Sequence, residues 1–400
     1  MAPDPTGVLL RNLSIWDGDS LAAGDAIAIV GERIAAIGEG SDLAKDDRFA
    51  ALPQRDCAGL TAIPGLIDAH VHLELNPDRS KPPEGSQDHQ APLMAERAAR
   101  MVAAGITTAR DLGAGAWREL KLRDAIAAGE QVGPRLLCAG QPITTPTGHC
   151  HFWGGGASCI EEAHAVLHRQ VARGVDLIKV MATGGRMTHG SEPGRAQFDV
   201  ATLRAIVDEA ARHHLTVAAH CHGTQGIDFA AQAGVRTIEH CSWVGPEGWA
   251  SDYQEDIAKV ILERGVWISP TVNRGWQRML DAPKGIVVGR VRKAYQAMMA
   301  LGIPFIASTD AGIPGVYHQD LRHALIVFAK IAELSAAATL RSATRDSARA
   351  LGIADRCGTL RTGLAADVLL AHGNPAEDLT ALLDLAAVWA RGREIEPLNA

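Results

Sequence analysis

Over the first sixty residues, apolar and polar positions alternate in short runs. Positions 8–13, 26–30 and 33–37 read as strands, punctuated by Trp16-Asp17-Gly18 and Gly31-Glu32. From Ile63 the texture changes. Apolar runs predict strands at 63–69, 107–111, 135–138, 177–181, 216–220, 237–240, 267–270 and 304–308. Between them, Ala-rich stretches such as 93–104, 160–173, 201–214 and 291–301 carry apolar residues at helical spacing. Eight strand signals alternating with helices predict an α/β chain folded as a parallel (β/α)8 TIM barrel rather than a doubly wound sheet. Roughly 250 residues is typical of such a barrel, and about 290 lie between Ile63 and Gly352. Strand texture returns after Arg356, at 358–360, 366–371, 387–391 and 393–395. The expected organisation is a barrel over 63–357 and one small β-sandwich domain built from both chain ends, 1–62 and 358–400. Two separate small lobes are the alternative.

Composition narrows the function classes. Hydrophobic residues are 47% of the 400 and charged residues 21%, enough apolar content for a large core. Lys plus Arg total 39 against 46 Asp plus Glu, a net charge of −7 that leaves no basic footprint for nucleic acid or a membrane surface. The expected partner is a small molecule. Seven scattered cysteines contain no C-x-x-C pair, and free thiols fit a reducing compartment. The N-terminal residues lack the features of a signal peptide, and no run approaches the roughly 18–20 apolar residues of a membrane span. The expectation is a cytoplasmic protein. A homo-oligomer is compatible with the pattern, which does not encode one.

The strongest local signal is Ile63-Pro64-Gly65-Leu66-Ile67-Asp68-Ala69-His70-Val71-His72. At strand period two, both imidazoles point to the same side, and imidazole is the commonest ligand for zinc-like metals. Three other expected strands also end in ligand-type residues: His220, His240 and Asp310. In an eight-stranded barrel, carboxyl ends of strands converge on one mouth. Any one of these residues alone reads as ordinary packing; together they read as a metal site. Lys179 stands in the otherwise apolar run Leu177-Ile178-Lys179-Val180-Met181. A buried ammonium is costly unless it is paired or loses its charge. It therefore either pairs with a buried carboxylate or, as a neutral amine, takes up CO2 to become a carbamate that bridges two cations.

These segments resemble the amidohydrolase superfamily, as does the tail Gly358-Thr359-Leu360-Arg361-Thr362-Gly363-Leu364-Ala365-Ala366-Asp367-Val368. The resemblance implies that His70 and His72 bind the more buried metal with Asp310, and that His220 and His240 bind the second. It further implies two divalent metal ions, with zinc the first expectation among zinc, manganese, cobalt and iron, and a carboxylated Lys179 bridging them. A hydroxide shared by two metals about 3.5–4 Å apart is a strong nucleophile near neutral pH. Asp310 is then the catalytic residue, taking the hydroxide's proton and returning it to the departing nitrogen. The implied reaction is hydrolysis of an amide-type C–N bond in a dipeptide, an N-acyl amino acid, or an aryl amide or carbamate. An imidazolonepropionase-like cyclic amidase or mononuclear aminohydrolase is the second enzymatic reading, and Lys179 argues against it. A non-catalytic barrel scaffold is the reading from another class.

Two loops hold the expected substrate contacts. Thr145-Pro146-Thr147-Gly148-His149-Cys150-His151-Phe152-Trp153-Gly154-Gly155-Gly156 resembles a loop of the Xaa-Pro dipeptidase-like branch whose histidine contacts the substrate carbonyl, making His149 or His151 the candidate. A third metal site from these two is the weaker alternative, since a glycine-rich loop is a poor cage. Ala182-Thr183-Gly184-Gly185-Arg186 resembles the dipeptidase and ochratoxinase-like branch, as does Gln197-Phe198, and Arg186 is a bidentate partner for a substrate carboxylate or else a solvated loop residue. Where some dipeptidase-like relatives carry a tyrosine two residues after the fifth-strand histidine, this chain has His222, which puts a preference for free carboxylates in doubt. Cys221 and Cys241 follow expected ligands, and alternation turns both away from the mouth. Trp153, Trp243, Trp267 and Trp276 fall in or near loops and suggest either an aryl pocket or packing.

Overall fold

The computed structural model describes residues 7–79, 91–282 and 285–398; the first six, read above for a leader, lie outside them. The chain is a mixed α/β fold in which strands from both ends share a sheet. That five-stranded sheet runs Arg393–Ile395, Leu385–Ala390, Val368–His372, Leu60–Pro64 and Ser14–Ile15, with Leu370 opposite Ala62 in an antiparallel pair. A four-stranded sheet runs Arg33–Gly38, Ala26–Val30, Gly7–Arg11 and Gln54–Asp56. Leu10, Ile27, Ile29 and Ile34 of this sheet pack with Ile15, Val368, Leu370 and Trp389 of the other in one buried apolar cluster.

The central part holds two parallel sheets. One runs Leu66–Val71, Ile106–Asp111 and Arg135–Cys138; the other runs Ile178–Met181, Val217–Gly223, Thr237–Val244 and Trp267–Ser269. Their strands are buried almost throughout, as expected where both faces of a parallel sheet are covered. Parallel bridges link them: Ile143 to Val180, Ile268 to Phe305, and Val71 to Ala311. The Ala69 amide donates to the Ala307 carbonyl at 3.1 Å, and the Asp310 amide to the His70 carbonyl at 2.9 Å.

Helices between these strands bury one face. Ile160–Arg173 turns Ala163, Val166, Leu167 and Gln170 inward and stops at Gly174, whose φ of +75° suits a residue without a Cβ. Val200–Arg212 starts at Asp199, whose carboxylate accepts from the Thr202 amide at 2.8 Å.

Three expected strands come out differently. The run 63–69 divides at Gly65: Leu60–Pro64 belongs to the end sheet and Leu66–Val71 to the parallel set. A Cβ at Gly65 would lie 2.0 Å from Thr107 Oγ1, so only glycine lets the chain cross there. The run 304–308 forms a single bridge at Phe305 rather than a strand. Its end is held by side chains instead. Asp68 accepts from the Thr309 amide at 3.1 Å and from Thr309 Oγ1 at 2.6 Å, and Asp310 has a left-handed φ of +62°. Positions 358–360 are also not a strand; Gly358 turns at φ +93°, and Leu360 makes one backbone bond, to Asp17.

Glu119, on helix Arg118–Ala127, is fully buried, and neither carboxylate oxygen has a hydrogen-bond partner. Burial, reinforced by the Asp111 and Glu74 carboxylates, pushes its pKa from 4.5 up to about 8. An acid whose folded pKa is raised stabilises least when ionised, so this group's contribution declines as pH rises from about 4.5 to about 8. Glu119→Gln, uncharged at every pH, is expected to shrink the loss of Tm between pH 5 and pH 8. An unchanged pH profile of thermal unfolding would place the carboxyl in contact with water.

Candidate active site

His70 is the penultimate residue of the Leu66–Val71 strand and His72 follows its end, so the two rings share a side. Each ring is pinned through Nδ1. His70 Nδ1 donates to Glu239 Oε2 at 3.0 Å, and His72 Nδ1 donates to the Gly113 carbonyl at 3.1 Å. Asp111 holds that carbonyl's loop by accepting from the Leu73 and Gly113 amides at 2.8 and 3.0 Å. With both Nδ1 protons committed, the Nε2 atoms present lone pairs. They lie 3.3 Å apart, and each is 3.4 Å from Asp310 Oδ1. Burial lowers the His70 pKa to about 4, so that ring is neutral near pH 7. Burial pushes the Asp310 carboxyl up, but positive charge around it, Lys179 included, outweighs burial and holds the group ionised, well below the usual range. Two lone pairs and an anionic oxygen aimed at one point repel each other, and that is the donor arrangement a cation satisfies.

A second group lies beside the first. His220, His222 and His240 bring ring nitrogens within 4.8 Å of one another. Here too one nitrogen of each ring is occupied. His220 Nε2 donates to the Gly184 carbonyl at 3.0 Å, His240 Nδ1 pairs with Thr271 Oγ1 at 2.7 Å, and His222 Nδ1 with Ser242 Oγ at 2.9 Å. The His220 and His240 ring centres are 4.5 Å apart, and those of His70 and His240 5.2 Å. Burial lowers His222 to about 3 and holds His220 and His240 well below the usual histidine value.

Lys179 lines the same cavity. Its side chain is 1% exposed, and Nζ has no hydrogen-bond partner. Burial lowers its pKa to about 8, against the opposing pull of the Glu239 carboxylate. An orphaned amine amid histidines fits a group that completes its contacts.

Glu239, absent from the sequence reading, anchors the floor. It is fully buried and accepts from His70, from Arg110 Nη2 at 2.8 Å, and from Thr237 Oγ1. Burial raises its carboxyl, but Arg110, His70 and Lys179 outweigh that and keep it ionised. A lone charge in the apolar strand Thr237–Val244 was the available signal, the same one that singles out Lys179.

The expected substrate residues separate. His149 enters the cavity; its Nδ1 has no partner, and burial lowers its pKa to about 3. Gln197 fixes its loop, accepting from the His149 amide at 2.7 Å and donating to the Met181 carbonyl at 2.6 Å. His151 is exposed and turns its Nδ1 back to the Gly148 carbonyl at 3.0 Å, so it does not converge with His149. Arg186 reaches the cavity rim, its guanidinium 5.2 Å from the Trp249 ring centre, and His222 packs against the same ring.

Cys221 points away, toward the Gly226 carbonyl. Cys241 instead lines the cavity, because His240, Cys241 and Trp243 all have left-handed backbone (φ +67°, +50° and +47°) and alternation fails there. Trp153, Trp243 and Trp276 line the cavity with Trp249; Trp267 does not. Phe152, Met187, Met279, Val287, Val291 and Tyr295 complete a largely apolar wall.

A family model described as "Amidohydrolase family" matches residues 61–395. The chain is 28% identical over 411 residues to the ochratoxinase of Aspergillus niger, an alignment covering 94% of this chain and 84% of that protein. It is 25% identical to the imidazolonepropionase of Chloroflexus aggregans, covering 86% of this chain and 84% of that one. Among solved structures it is similar to a Xaa-Pro dipeptidase with bound methionine in the active site. The TM-score is 0.82 at 26% identity, covering 97% of this chain and 99% of that chain.

Breaking one side of a buried charge pair strands the other charge, at a cost of about 3–5 kcal/mol. Glu239→Ala is expected to lower the unfolding free energy by that amount in urea titrations. The Arg110→Ala/Glu239→Ala double variant should lose less than the two single variants summed. Simple additivity would show that the pair is not coupled.

Proposed function

The chain belongs to the amidohydrolase family, and we propose that it cleaves an amide-type C–N bond in a small substrate bearing a bulky apolar or aromatic group. The observation that carries this reading is the pair of Nε2 atoms aimed at Asp310 Oδ1, beside the unpartnered Nζ of Lys179. In this reading His70, His72 and Asp310 hold one divalent cation and His220 and His240 a second, zinc being the expected metal. Lys179 joins the two. Its neutral amine would take up CO2, forming an N–C bond and releasing one proton, and the carbamate's negative charge would offset the repulsion between the two cations. Two cations there would polarise the scissile carbonyl and make the attacking water acidic.

The chain's own groups do the rest. Asp310 takes a proton from the attacking water and passes it to the departing nitrogen. Glu239 and the Gly113 carbonyl hold the His70 and His72 rings in the tautomer that leaves Nε2 unprotonated. His149 offers its cavity-facing nitrogen to the substrate carbonyl, and Arg186 offers positive charge at the rim for a carboxylate. His222 contacts the substrate from the side of Trp249. The tryptophans and the Val287 and Val291 wall receive the apolar part and exclude water. The relatives support this range: one is named for ochratoxin, one carries the name of a dipeptidase, and the third is an imidazolonepropionase.

The accompanying architecture is a (β/α)8 barrel over 63–357 with its eighth strand reduced to the 304–308 segment. A β-sandwich from 1–62 and 358–400 sits beside it. The parallel bridges from Ile268 to Phe305 and from Val71 to Ala311 support closure. The shared cluster of the two end sheets supports the sandwich. We read the protein as a cytoplasmic enzyme whose partner is its substrate, and a homo-oligomer is compatible with that; no described helix is long and apolar enough to cross a membrane.

Metal-reconstituted protein is expected to hydrolyse N-acyl aromatic amino acids or aryl amides faster than small polar dipeptides. Absence of turnover on dipeptides, N-acyl amino acids and aryl carbamates alike, with two metals bound, sinks the substrate assignment. Lys179→Ala is expected to lower metal content to one ion or none and to abolish turnover, with short carboxylic acids restoring part of it. Two metals and full rate in that variant would remove the carbamate from the reading.

A further inference from the structure

Two helices lead into the strands that carry Lys179 and His220: Ile160–Arg173 and Val200–Arg212. Away from the cavity they hold another convergence of donors. His168 on the first brings Nε2 to 2.7 Å from Glu209 Oε1 on the second. His213, one turn beyond Glu209, places its own Nε2 3.5 Å from the same oxygen. The three donor atoms lie within 4.8 Å of one another. Arg212 donates to the other oxygen, Oε2, at 2.7 Å and so turns Oε1 toward the imidazoles. The Glu209 side chain is 9% exposed, whereas His168 and His213 are 54% and 34% exposed. The group is therefore closed on the carboxylate side and open to solvent on the other.

We propose that His168, Glu209 and His213 form a separate binding site for a zinc-class dication that clamps these two helices together. Two imidazole nitrogens and one carboxylate oxygen are a donor set that zinc takes readily, with bonds of about 2.0–2.2 Å. A tetrahedral site with such bonds has donors about 3.4 Å apart, close to the 3.5 Å between His213 Nε2 and Glu209 Oε1. The shorter His168 contact is a hydrogen bond, so its Nε2 carries a proton shared with the carboxylate. The incoming cation takes that proton's place: one nitrogen–metal bond forms, the Nε2–H bond breaks, and the neutral ring regains a proton at Nδ1 through solvent, an imidazolium instead keeping its Nδ1 proton and releasing the Nε2 proton. Water fills the fourth position. His164 stays outside the set, because its Nε2 donates to the Ala205 carbonyl at 3.2 Å. Arg212 sets the strength. Its positive charge opposes the cation while its hydrogen bond orients the ligand, so this site binds more weakly than a pair of cations held by buried histidines. A cation bound only by the folded state raises stability in proportion to ln(1 + [M]/Kd).

The test uses the full chain already loaded with its central metals and freed of excess. Zinc chloride is titrated in calorimetrically, bound zinc is counted by elemental mass spectrometry, and Tm is followed. Wild type is expected to bind one further zinc per chain and to gain Tm with zinc concentration. The His168→Ala/His213→Ala double variant should show neither effect, with turnover equal to wild type in the absence of added zinc. Glu209→Gln, which keeps the shape and removes the charge, should weaken the further zinc. A double variant that still binds the additional ion, or a wild type that takes up none, overturns the proposal.

Discussion

Everything at the cavity depends on one repulsion: two imidazole lone pairs and an ionised carboxylate oxygen directed at the same point. His70 and His72 cannot turn away from it. Their Nδ1 protons are spent on Glu239 and on the Gly113 carbonyl, and those partners are fixed in turn by Arg110 and Asp111. A buried arrangement of this kind stays folded because the surrounding hydrogen bonds over-determine it. The site is therefore built from the outside inward. A ring of satisfied polar groups imposes an unsatisfied centre, and a cation is the species that resolves it.

Much of this was legible in the sequence because the chemistry lies on regular strands. Period two puts His70 and His72 on one side, and apolar neighbours made the isolated Lys179 conspicuous. The helix expected at 160–173 has those bounds in the structure, since apolar spacing and Gly174 mark both its face and its end. Glu239 escaped notice because its meaning is a pairing with Arg110, 129 positions away, and no local pattern carries that. Loop geometry was equally hidden. His149 and His151 look equivalent on paper, yet one enters the cavity and the other folds back on Gly148.

Backbone conformation explains the remaining differences. The strand expected at 63–69 changes sheets at a glycine whose necessity comes from Thr107, a residue on the neighbouring strand. The segment 304–308 gives up regular pairing because Asp68 captures Thr309 and sets Asp310 in a left-handed conformation. Left-handed backbone at His240, Cys241 and Trp243 likewise overrides alternation and brings Cys241 to the cavity wall. In each case a side-chain bond or a close approach outweighs local strand preference, and each lies at or beside the candidate site.

The wall has a different origin from the floor. Val287, Val291 and Tyr295 come from helix Ile286–Ala300, which contributes none of the groups that orient His70, His72 or Asp310. Mutations there can drift without disturbing those orienting bonds, so the scaffold is modular in an evolutionary sense. One part answers to the reaction and tolerates little change, while the other answers to whichever molecule the cell meets and is free to diversify.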